Sequence, residues 1–197
     1  MNAKQIKDLK TVLYKWKTDD SKSQVTEEGS ELIFHTPWIA PYSWLHEIFK
    51  GLDEENIALM ESTLPIPIDT RYKEFLTHIN GINLFSNTIK IYGFLNHHVY
   101  KQAIKRPFDL FHMNRIRVKG TPEEWFFFGY YQRDGSRLFF NSTDGTEKVY
   151  RVKSQELVLL NEWENFDVWL LSEVTRVAAL FDQNGKMLVD DPTPPAN

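Results

Sequence analysis

The 197-residue chain contains no cysteine. That removes disulfide scaffolds, thiolate zinc sites and cysteine nucleophiles together, and it agrees with a reducing compartment. Long hydrophobic runs are missing too. No apolar stretch is long enough to cross a bilayer, and lysines interrupt every short apolar group between Met1 and Lys17, so neither a membrane span nor a secretory signal is expected and the expected location is cytosolic. The nine glycines are scattered and form neither GxxxxGK nor GxGxxG, and the chain has no GxSxG elbow and no HExxH pair. Aromatic residues, by contrast, make up 14% of the chain, whose length suits one domain with a self-sufficient core.

The net charge of −4 is small but unevenly distributed. Residues 23–62 hold one Lys or Arg against eight acids and residues 154–197 hold two against eight, giving local sums of −7 and −6, whereas residues 97–119 carry six basic residues against Asp109 alone. Such runs are ordinarily solvated faces; the sharper reading is that the acidic segments converge into a surface complementary to a basic partner. The basic residues Lys101, Lys105, Arg106, Arg115, Arg117 and Lys119 lie near Tyr100, Phe108 and Phe111, which raises nucleic-acid binding. The acidic flanks argue against it, and no direct nucleic-acid partner is expected.

The most explicit punctuation is in residues 64–81, LPIPIDTRYKEFLTHING. Pro65 and Pro67 end the preceding helix before Leu64, Asp69 or Thr70 can cap a new one, and Tyr72, Phe75, Leu76 and Ile79 then gather on one face. Asn80-Gly81 supplies a left-handed residue suited to finishing that helix, and Leu84-Phe85 and residues 88–92 begin a sheet. Upstream, Ile6, Leu9, Leu13 and Trp16 predict a first helix and residues 31–34 a short strand. Pro37 and Pro41 bracket a turn carrying Trp38. Trp44, Leu45, Ile48, Phe49 and Leu52 fit a helical stripe with Ser43 as cap, and residues 53–62 fit a second helix with Ile57, Met60 and Leu64 inward.

From Trp125 the period becomes extended. Residues 125–131, 136–141 and 147–152, joined at Asp134-Gly135 and Asp144-Gly145, read as a three-stranded antiparallel meander. Strict alternation would place Phe126, Phe128 and Tyr130 on one side of its first strand and Trp125, Phe127 and Tyr131 on the other, with Gly129 among them. A late helix capped by Asn165 carries Phe166, Trp169, Leu170, Val174, Val177, Leu180 and Phe181 over four turns, closing near Asn184-Gly185.

Candidate chemistry is sparse. His97, His98 and His112 invite a metal reading, but adjacent histidines on a strand face opposite ways, and no metal or other cofactor is expected. Glu123-Glu124 and Asp190-Asp191 could be imagined as acid and base. Thr121-Pro122-Glu123-Glu124 is better read as a capped helical turn with acids at its start, and Gly135-Ser136 as a hairpin turn. Trp38, Trp44, Trp125, Trp163 and Trp169 sit on or beside apolar stripes and are expected in the core; any left exposed would be an anchor for a protein partner.

The LP, aromatic, FL and NG series, followed by an apolar strand and a glycine, resembles the SUKH superfamily, which groups bacterial toxin-immunity proteins with fungal cell-wall assembly regulators. GTPEEWFFFG, Asp134-Gly135, Asp144-Gly145 and the late helix follow in the order that family would place them, and the likeness covers roughly residues 53–186. It carries Leu64, Pro65, Tyr72, Phe75, Leu76, Asn80, Gly81, Trp125, Gly129 and Gly135 as structural motif positions. The resemblance implies an α+β fold with a mainly antiparallel sheet and helices packed on one side. Residues 1–40 would be an N-terminal extension of a helix plus strand, 41–189 the SUKH-like domain and 190–197 a disordered tail. It also implies a non-enzymatic protein that binds another protein: an immunity protein neutralising a cognate toxin of the nuclease type, with Glu27, Glu28, Glu31, Asp53, Glu54 and Glu55 facing the toxin's basic channel. A regulatory adaptor using the same surfaces is the alternative, and a hydrolase built on His97, His98 or Glu123 is the remote one.

Overall fold

The structure, a computed structural model, describes residues 1–64, 66–101 and 103–196. Nine strands form one antiparallel sheet in chain order: β1 (Ser23–Val25), β2 (Glu31–His35), β3 (Trp44–Lys50), β4 (Ile79–Leu84), β5 (Ile89–Ile91), β6 (Trp125–Tyr131), β7 (Arg137–Asn141), β8 (Val149–Lys153) and β9 (Val158–Trp163). Among the described residues five α-helices accompany it: α1 (Ala3–Leu13), α2 (Glu54–Thr63), α3 (Thr70–His78), α4 (Leu110–Arg115) and α5 (Phe166–Ala178). The architecture is α+β, and the meander predicted from residue 125 onward is β6–β8, with β9 at the sheet edge beside it.

Cross-strand pairing shows what each face carries. Ile33, His46, Leu84, Ile89 and Tyr131 are successive partners across five strands, and all face α1, α3 and α5. Leu32, Glu47, Asn83, Lys90, Tyr130 and Arg137 form the corresponding row on the opposite face. The irregular segment around residues 103–108 covers the centre of that second row, with Lys105 on Glu47 and Phe108 packed against Lys90 and Tyr130. The helical side is aromatic: Tyr72, Phe75, Phe126, Phe128, Phe140, Phe166 and Trp169 pack ring against ring and are buried.

Several expectations need correction. Residues 44–50 are β3, not a helix: the strand sits between β2 and β4 with both faces covered, so its apolar residues follow burial on two sides instead of a 3.6-residue stripe. Asn80-Gly81 does not finish α3, which ends at His78, but lies inside β4. In β6 a bulge at Phe128 shifts the register between Phe127 and Gly129, so the alternation changes hand partway along the strand. Phe126, Phe128 and Tyr131 face α5, while Trp125, Phe127 and Tyr130 face the other way. The late helix stops at Ala178, and Asn184-Gly185 belongs to a following turn in which the Asp182 carboxylate accepts from the Asn184 and Lys186 amides. Strand β9 was not anticipated at all.

The N-terminal segment shares the same core. Leu9, Leu13 and Trp16 are buried, α1 packs on α5, and the Trp16 indole donates to the Asp182 carbonyl at 2.8 Å. The proline-rich end, whose composition predicts disorder, supplies main-chain acceptors: the carbonyls of Pro192, Pro194 and Pro195 take hydrogen bonds from Arg176, Arg151 and Asn161. Extended proline segments leave their carbonyls unpaired, and buried guanidinium groups can use them. Pro65, one of the motif positions, and Asn197 lie outside the described residues.

Candidate protein-binding surface

The other motif positions build the fold. Asp69 caps α3 by accepting from the Tyr72 amide, Tyr72 donates through its hydroxyl to the Tyr92 carbonyl at 2.6 Å, and Phe75 and Leu76 complete the buried face. Leu64 closes α2 and packs half-buried on the core. Asn80 clamps the Phe94 main chain from both sides, donating to its carbonyl at 2.9 Å and accepting from its amide at 2.7 Å. Trp125 stacks on Phe139 with centroids 4.1 Å apart, Gly129 lies against the Lys90 carbonyl, and Gly135 turns the β6–β7 hairpin.

The six candidate acids divide. Glu31 is committed internally: its carboxylate takes Lys10 at 2.9 Å, Lys17 at 3.4 Å and the Tyr14 hydroxyl at 2.7 Å, and these partners hold its pKa below the ordinary glutamate range despite the opposing effect of burial. Asp53 caps α2 through the Asn56 amide at 2.9 Å, and it stays exposed. Glu54 and Glu55 occupy the first turn of α2, where the helix dipole favours them. Glu27 and Glu28 lie in the β1–β2 turn. None of Glu27, Glu28, Glu54 and Glu55 has an ion-pair partner among the described residues. Glu28 and Asp53 line one cleft together with Lys50, Asn56, Asn96 and Tyr100, so the turn and the start of α2, 25 residues apart in sequence, are neighbours in space.

Beside that cleft runs a groove of about 630 Å³ on the face opposite α1, α3 and α5. Buried Leu32 and half-buried His35 and Trp44 line it together with the more exposed Val25, Tyr42 and Ile104 and the acids Glu27 and Glu28. Tyr42 is 71% exposed and Ile104 82%, while Trp38 and Ile39 stand out from the same β2–β3 loop. Of the tryptophans, Trp169 is buried as expected, Trp44, Trp125 and Trp163 are half-buried, and Trp38 is the exposed one. Tyr42 and Ile104 were not singled out from sequence. An aromatic in a proline-bracketed loop was visible as a signal, but nothing local shows that residues 103–105 come to share a groove with it.

Two residues of the basic segment are committed internally, whereas Lys101, Arg106, Arg115 and Lys119 are exposed. Arg117 donates to the carbonyls of Asn114, Pro122, Glu123 and Trp125, which makes it a clip across the β6 approach; Lys105 pairs with Glu47. His97 and His98 lie in a turn, not on a strand, and Glu123-Glu124 also form a turn without a helix. Among the described residues no three His, Cys, Asp or Glu gather as metal ligands.

A single antiparallel sheet accompanied by helices and built on a buried aromatic core defines an α+β protein. The family model described as SMI1 / KNR4 family (SUKH-1) matches residues 51–172, more than half the chain, and the chain belongs to that family. Proteins of this family commonly act in immunity or regulation and are generally non-enzymatic. No curated protein matches the chain significantly. No helix among the described residues is long and apolar enough to cross a membrane.

Proposed function

We propose that this chain is a cytoplasmic, non-enzymatic binding protein that neutralises a cognate toxin, most simply one of the nuclease type with a basic substrate channel. The observation that carries this reading is that Glu28 and Asp53 line one cleft, with Glu27 beside Glu28 in the β1–β2 turn and Glu54 and Glu55 following Asp53 in the first turn of α2. Lys50 lines the same cleft and offsets Asp53, and the four acids left without ion-pair partners among the described residues supply a field that steers a basic partner and speeds its association.

Co-expression with the product of an adjacent toxin gene tests it. Growth of poisoned cells should be restored, and changing Glu27 and Glu28 to lysine together with Glu54 and Glu55 to glutamine should abolish rescue while the thermal midpoint stays within about 3 °C. Absence of both rescue and binding would discard the toxin reading. Reproducible co-purification with envelope or signalling proteins instead would favour the regulatory adaptor.

A further inference from the structure

The groove is lined by residues that precede the family-matched segment and by the anchored segment 103–105. Val25, Glu27, Glu28, Leu32, Tyr42 and Trp44 all precede residue 51, where the family match begins. Residues 103–105 are pinned from below: Glu47 is only 5% exposed, one of its carboxylate oxygens takes Lys105 and the other accepts from the Asn83 amide at 2.6 Å. Placing a carboxylate under cover and restraining a lysine on it costs desolvation and side-chain entropy. The result is that the neighbouring Ile104, which lines the same groove as Tyr42, is held almost fully in water. Apolar side chains kept in solvent on an anchored frame are characteristic of interaction sites.

We infer that this groove takes a surface segment of the partner protein in which Lys or Arg residues are interspersed with aliphatic or aromatic ones, the basic groups meeting Glu27 and Glu28 and the apolar ones packing on Tyr42 and Ile104. Charge complementarity decides the sign of the occupant. Both acids in the groove lack ion-pair partners among the described residues, and the basic residue lining it, Lys105, is already neutralised by Glu47. Because the lining residues before 51 lie outside the family match, the groove sets which partner this chain accepts while the common fold does not. The inference rests on the protein-binding reading above but not on the partner being a toxin.

The test is selection of a displayed random-peptide library on the full chain, followed by fluorescence anisotropy with the synthetic consensus peptide. The expected consensus combines Lys or Arg with aliphatic or aromatic residues. The paired change Glu27→Lys and Glu28→Lys, and separately Ile104→Asp, should each weaken binding by about tenfold or more. Val168→Asp, on the exposed side of α5, should leave it unchanged. Circular dichroism establishes that each variant is folded, and Tyr42→Ala serves in place of any that is not. No enrichment, an acidic consensus, or equal binding by the groove variants overturns the inference. Rescue from a toxin without groove binding would refute the groove alone, and groove binding without rescue would refute the toxin reading alone.

Discussion

His46 is fully buried between Trp16 and Phe85, with ring centroids 5.5 and 4.7 Å away, and its Nε2 has no hydrogen-bond partner among the described residues. Burial disfavours the imidazolium and lowers its pKa to about 3. The unfolded chain, with an ordinary histidine near pH 6.5, therefore binds a proton that the folded chain does not in the window between those values. Stability contributed by neutral His46 is full above about pH 6.5 and is lost as the pH falls towards 3, with a limiting slope of about 1.4 kcal/mol per pH unit. Melting curves from pH 7 to 5 should show this decline, and His46→Leu should flatten it; an unchanged slope would show that the ring reaches solvent. Arg151 is the second residue of this kind. Only 3% exposed, it donates to Ser136 at 2.7 Å, Asn161 at 2.9 Å, Asp134 at 2.6 Å and the Pro194 carbonyl. Removing it orphans several acceptors, so Arg151→Ala should lower the urea-unfolding free energy by about 3 kcal/mol.

Strands β4 and β5 approach more closely than side chains allow. Gly81 sits at φ 83°, and a Cβ there would lie 2.8 Å from the Gly93 nitrogen and 2.9 Å from the Ile91 oxygen. Gly81→Ala therefore combines a left-handed backbone with a clash against main chain that cannot rotate away, and should destabilise by about 2–4 kcal/mol in chemical denaturation. The sequence showed that this residue needed left-handed geometry but not where: Asn-Gly after a helical stripe looks like a helix end, and only the pairing of β4 with β5 puts it inside a strand. β3 was misassigned for a related reason. Trp44, Leu45, Ile48 and Phe49 satisfy a helical spacing as well as a two-sided strand, and the choice is made by β2 and β4 on either side. Helices α1, α2 and α3 were legible because their caps and stripes are local.

At the scale of the molecule, the family-matched span does not contain the whole core. Trp16, Ile33, Leu45 and Ile48 precede it and Val174, Val177 and Phe181 follow it, all in one hydrophobic cluster. A fragment of residues 51–172 would leave β4 without β3 and α5 without α1, so it should show no cooperative thermal transition by circular dichroism, whereas the full chain should melt in one step. A folded fragment would mean that the first 50 residues are a dispensable attachment. The candidate surface was legible in part. Charge along the chain marked Glu27, Glu28 and residues 53–55, since runs of one sign are visible without a fold. Glu31 looked equivalent to them and is not, because Lys10, Lys17 and Tyr14 reach it from α1 and the turn that follows.

Absence of cysteine, the capped helix after Leu64, the meander from Trp125 and the excess of acids before residue 62 are local properties, set by residue type and short-range spacing, and the sequence by itself determined them. The nine-strand order, the Phe128 bulge, the fate of each acid and the groove that Tyr42 and Ile104 share were decided by tertiary structure alone. Each depends on segments distant in sequence competing for the same neighbours, and the winning contact is fixed by burial and counterion pairing across the whole sheet, which no local pattern encodes.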